Sequence, residues 1–165
     1  MRLDRAMSLA LCLLALACEV RSQGTPADAG QDAAGPPVDV DSAAGQGYLA
    51  VRTRGCAACH QSPDPTDGVL SGQTTPVPGT LAYGSNLTPD PDTGMDFWDA
   101  GTIANSVLSA IDDQGRPLCS AMPAYVEAGM GTGEAFAIAA YLQSLPPVWH
   151  SIPASQCTLL DAGSP

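Results

Sequence analysis

The chain has 165 residues, no lysine, and a net charge of −11 from seventeen acids against six arginines. Without a basic face it is excluded as a nucleic-acid binder working by phosphate neutralisation. Aromatic residues make up only 5%, and a core that thin commonly needs a covalent or cofactor staple.

Residues 1–17 read as a secretory signal: Arg2 and Arg5 give the charged start, and Met7 to Ala17 form an apolar run broken by Ser8. The run is shorter than the roughly 20 residues a membrane-spanning helix needs. It ends in Leu14-Ala15-Leu16-Ala17-Cys18, which resembles a bacterial lipoprotein signal, with Cys18 as the lipidated mature N-terminus. An ordinary secretory cut near Ala17 is the alternative. Cleavage before Cys18 leaves sixteen acids and four arginines, a net charge of −12. Residues 18–41 are rich in Ala, Gly, Pro and Asp, with no hydrophobic period. They cannot bury enough apolar surface to order themselves and read as a tether. As a flexible coil it would reach roughly 25 Å.

From Ser42 to Gly55 the spacing predicts a short helix, capped by Asp41 or Ser42, with Gly47, Tyr48, Leu49 and Val51 as its apolar face. It runs into Cys56-Ala57-Ala58-Cys59-His60. Two thiols three residues apart can add to the two vinyl groups of one haem, and the adjoining imidazole can then ligate its iron. The rival readings are a thioredoxin-type pair or half of a zinc site. Neither fits: there is no strand–helix alternation, and the only other histidine is the distant His150. The cofactor implied is one covalent haem c.

Residues 61–84 hold four prolines and little period and read as an irregular wrap. Asp99 caps a helix predicted over 100–111, with Ile103, Val107, Leu108 and Ile111 as its core stripe. A second iron ligand has four candidates: Met95, Met122, Met130 and His150. Met122 stands in Cys119-Ser120-Ala121-Met122-Pro123, an irregular stretch where Pro123 restrains the backbone beside the thioether. The iron ligands read from the sequence are therefore His60 and Met122. Gly129-Met130-Gly131-Thr132-Gly133 faintly looks like a nucleotide loop, but no strand precedes it, so it reads as a plain loop. A final helix is expected from about Gly133 to Ser144, behind Thr132 as cap and stopped by Pro146. Cys119 and Cys157 remain for a disulfide, which an oxidising envelope compartment permits. It would tie back the tail, residues 149–165.

A helix entering CxxCH, a Met-Pro loop and an aromatic-bearing last helix resemble the class I cytochrome c domain. More narrowly, the chain is similar to the cytochrome subunits of membrane-bound alcohol and gluconate dehydrogenases. The matching residues are Asn86-Leu87-Thr88-Pro89-Asp90-Pro91, Trp98, Gly115-Arg116-Pro117-Leu118, Met122-Pro123, and Ala140 to Val148. The resemblance covers roughly residues 42–148, with one haem motif where those subunits carry several. It implies an all-α fold of three to five helices around one haem, with Gly47 and Tyr48 crossing against Tyr141 and Trp98 near the porphyrin. It also implies a proline carbonyl behind the axial histidine, with Pro76 and Pro78 as candidates.

The function expected is electron transfer by a monomeric carrier, not an enzyme acting alone, lipid-anchored in a bacterial envelope and facing the periplasm. Its partners would be a dehydrogenase, a quinol-oxidising complex or a terminal oxidase, met briefly through its acidic surface. The alternative is a haem-based sensor of small ligands with a displaceable Met122.

Overall fold

The computed structural model describes residues 39–157; the signal, Cys18 and most of the tether lie outside that range. Among the described residues four α-helices appear in order: α1 (Ala43–Arg54), α2 (Ala57–His60), α3 (Ala100–Ser109) and α4 (Thr132–Ser144). Two 3₁₀ turns, Pro65–Asp67 and Tyr125–Ala128, lie between them. Among the described residues there is no strand, only an isolated bridge between Ile111 and Pro117. The helical class expected from the sequence is what these residues adopt. None of these helices is long and apolar enough to cross a membrane.

Ser42 caps α1, its side chain accepting from the Gly45 N–H, and Gly55 closes it in the left-handed conformation at φ 72°. The chain before the cap is ordered too. Asp39 O accepts from the Ser42 N–H at 3.0 Å, and Val40 O from Gln46 Nε2 at 2.6 Å. Folded structure thus begins by Asp39, inside the stretch read as tether. Asp99 caps α3 through the Thr102 N–H at 2.7 Å. That helix stops at Ala110, in the left-handed region at φ 53°, two residues short of the expected end, because Ile111 leaves to pair with Pro117. The N-cap of α4 is Gly131, without a side-chain bond, so Thr132 opens the helix instead of capping it.

The core forms where α1 and α3 pack on α4. Ile103, Val107, Ile138, Tyr141 and Leu142 are buried together with Val51 and Met130. Gly47 allows the α1–α4 crossing: a Cβ there would fall on the Ala137 carbonyl oxygen. Tyr48 meets Tyr141 edge to face, with ring centroids 5.6 Å apart, the crossing that the resemblance implies. Leu49 departs from its expected place and is 44% exposed. It lies two positions from buried Gly47 and Val51, about 200° round the helix from either. The wrap of residues 61–99 is tied by its polar side chains. Buried Asn86 accepts from the Thr88 N–H and donates to Thr93 Oγ1 at 3.0 Å and Val148 O at 2.8 Å.

Candidate functional site

Helix α1 delivers the CxxCH motif to a cavity. Its left-handed cap at Gly55 sends the Gly55 N–H to Arg52 O and the Cys56 N–H to Val51 O, both at 3.2 Å, so the chain turns sharply into Cys56. One turn of helix then places Cys56, Cys59 and His60 on one wall, with the His60 N–H on Cys56 O at 3.0 Å. Both thiols are free and partly exposed. Burial pushes the Cys56 thiol above its ordinary pKa. Outside the motif, Arg54 grips Glu134 with two bonds of 2.8 Å and Ala128 O with one of 3.1 Å, fixing the end of α1 to the start of α4.

His60 is only 9% exposed. Its Nδ1 lies 2.9 Å from the carbonyl oxygen of Ser85. A carbonyl can only accept, so Nδ1 carries the proton and Nε2 keeps its lone pair on a ring that lines the cavity. Burial lowers the pKa of the ring, against a smaller opposing effect of the Ser85 bond, so the imidazole is neutral and free to donate. The partner is Ser85 and neither Pro76 nor Pro78. The reason lies next door at Gly84, where a Cβ would collide with the Cys59 carbonyl oxygen. That missing side chain lets residues 83–86 pass directly over the motif. Gly84 O is held in turn by the Gln73 N–H at 2.9 Å.

The cavity has a volume of about 820 Å³, within the range of small-molecule and cofactor sites. Much of its wall is apolar, including Val51, Leu87, Trp98, Ile103 and Leu142. Met122 lines it, and so do Met95 and Met130. The three methionines are used differently. Met130 is buried in the core and Met95 packs against it, whereas Met122 is absent from that cluster. Met122 is set by its N–H on Cys119 O at 2.7 Å, and Cys119 is joined to Cys157 by a disulfide with Cα atoms 5.0 Å apart. Both of those cysteines also border the cavity.

His150 is elsewhere. Its Nδ1 bonds Ser71 O at 3.0 Å and its Nε2 stands 3.8 Å from Asp67 Oδ2, so it ties the tail to the wrap. Trp98 borders the cavity, while Trp149 is 67% exposed. Sequence reasoning missed Ser85, Tyr83 and Ser155, all on the cavity wall. Only Gly84 signalled a close backbone passage there, and one glycine among seventeen does not announce itself.

A haem can be tested against this wall through its donors. Two unpaired thiols, an imidazole with its lone pair free, and a thioether outside the core border one mainly apolar cavity. These are the groups a covalently held haem requires, and they fit it.

No family model matches the chain. It is similar to a nicotinate dehydrogenase subunit from Pseudomonas putida, at 34% identity over 102 residues. Those residues are 61% of this chain but 8% of that relative, so the likeness is to a small part of a much longer protein.

Proposed function

We propose that this protein carries single electrons through one haem c, in a chain linked to a dehydrogenase of the bacterial envelope. The observation that carries the proposal is the buried His60, its Nδ1 fixed on Ser85 and its ring lining the same cavity as two unpaired thiols. Cys56 and Cys59 would hold the haem as thioethers, and His60 Nε2 and Met122 sulfur would ligate its iron. Its absence from the packed core supports Met122 over Met95 and Met130. When bound, the haem supplies an iron that gains or loses one electron, with a potential raised by thioether ligation. The protein's part is to fix both donors, exclude water with Leu87, Trp98 and Leu142, and present an acidic exterior to a basic partner. Lipidation of Cys18 would hold it at the membrane, with transient contact to its redox partners. The similarity to part of a dehydrogenase subunit supports the dehydrogenase link.

The test is expression of the whole chain in a host equipped for haem attachment. One covalent haem per chain is expected, with a weak far-red sulfur-to-iron band in the oxidised protein that Met122→Ala abolishes. A colourless protein refutes the proposal. Rapid carbon monoxide binding to the reduced wild type would favour the sensor reading, with Met122 displaced.

A further inference from the structure

The segment Val148–Cys157 has neither helix nor strand, yet it is tied down along its length. Val148 O accepts from Asn86 Nδ2, and the Val148 N–H donates to Thr88 Oγ1 at 3.1 Å. The His150 N–H reaches Thr93 Oγ1 at 3.1 Å. Ile152 lies so close to Gly72 that a Cβ there would meet its Cδ1 at 2.8 Å. Ser155 Oγ accepts from the Tyr83 N–H at 2.8 Å and donates to Tyr83 O at 3.4 Å. The Gln156 N–H bonds Leu81 O at 3.0 Å, and Cys157 is bonded to Cys119. The tail is a strap. One stretch of it holds the backbone that presents Ser85 to His60, and its end holds the loop of Met122.

We propose that Ser155 is a positioning residue for the iron-ligating imidazole, pinning both backbone groups of Tyr83 so that the Ser85 carbonyl stays on His60 Nδ1. The iron rests on the function proposed above; the positioning does not. Gly84 already presses residues 83–86 against the Cys59 carbonyl from one side. Ser155 closes on Tyr83, two residues from Ser85, and leaves the carbonyl little freedom to swing. A firm Nδ1–H···O bond makes Nε2 a stronger donor, which favours the ferric state and lowers the potential. Weakening that bond raises the potential. Loosening the thioether acts the other way, because the soft sulfur favours the ferrous state. The two attachments of one strap therefore tune the site in opposite directions.

The experiment compares full-length wild type, Ser155→Ala and Ser155→Thr. In Ser155→Ala the midpoint potential should rise while the sulfur-to-iron band stays. The His60 Nδ1 proton, followed by NMR, should exchange about tenfold faster, as expected for loss of the short Tyr83 N–H bond together with the longer one to Tyr83 O. Ser155→Thr keeps the oxygen and should restore both readouts. Wild-type exchange and potential in Ser155→Ala would overturn the proposal. So would a lowered potential with loss of the band, which would mean that the strap acts through Met122. Proton exchange is readable with or without haem. A chain lacking covalent haem would therefore refute the electron-transfer reading alone, and the exchange rate would still decide for or against Ser155.

Discussion

The two walls of the cavity are built to different standards. On the His60 side the donor is buried and the backbone around it is tied at several points. The Gly72 N–H bonds His60 O at 2.8 Å, the Gln73 N–H bonds Gly84 O, and Ser85 O takes the ring proton. On the Met122 side the chain is half-exposed between Ser120 and Pro123, and it runs on into a 3₁₀ turn whose Val126 is 55% exposed. There the restraint is the Cys119–Cys157 bond and the short Ile111–Pro117 bridge. Local stability follows buried contacts and protected hydrogen bonds. One wall is thus a fixed imidazole mount, and the other an adjustable thioether held by a covalent tie.

Cutting that tie should give the largest effect. Cys157→Ser opens a loop spanning a sequence separation of 38, and chain entropy puts the loss near 4 kcal/mol of unfolding free energy. Urea unfolding measures it. In the haem-loaded protein the same change should lower the midpoint potential and weaken the sulfur-to-iron band, while the His60 Nδ1 proton keeps its slow exchange. Faster exchange there would erase the distinction between the walls. The mirror-image cut is Gly84→Ala, whose methyl group has no room against Cys59 O. Overpacking of that kind costs about 3 kcal/mol, and here it should strip His60 of its carbonyl and leave the Met122 band intact.

Asn86→Ala probes the same wall from behind. It removes two donor contacts and two acceptor contacts from a buried side chain, and taking the acceptor from the buried Thr88 N–H and the short bond from Val148 O should cost about 2 kcal/mol. The denaturant midpoint should fall accordingly. A surface-sized loss would show that Asn86 is not what joins wrap to tail.

The walls also differ in how far the sequence exposed them. Cys56, Cys59 and His60 are contiguous, so their chemistry could be read from spacing alone, and the helices around them declare themselves through Ser42, Gly55 and Asp99. Pro123 singles out Met122 in the sequence, and Met122 does border the cavity, but so do Met95 and Met130. What separates the three is packing with the hydrophobic core, which no local pattern encodes. The support of His60 is Ser85 and not the expected Pro76 or Pro78 for the same kind of reason. Its partner is a backbone carbonyl, and any residue could have supplied one. Position along the chain therefore said nothing, and only the passage of Gly84 over the motif settles it. Ser155 was illegible because its partner is 72 residues away.

The smallest effect tests a second link between the walls, away from the strap. Arg54, two residues before Cys56, holds Glu134 in a bidentate pair and also reaches Ala128 O, at the end of the turn that follows Met122. Hydrogen bonding from Arg54 holds the Glu134 carboxyl below its ordinary pKa. A carboxylate with a lowered folded pKa stabilises the fold above the unfolded value, and that stability is lost as the pH falls through the folded value. At pH 7 wild type should therefore be slightly more stable than Glu134→Gln. The gap should hold down to about pH 5 and close below about pH 4. Both partners are partly exposed, so salt should narrow it as well. A gap that persists at pH 3 would mean that the glutamate contributes through its shape, and that the motif and the Met122 turn are joined by packing and not by charge.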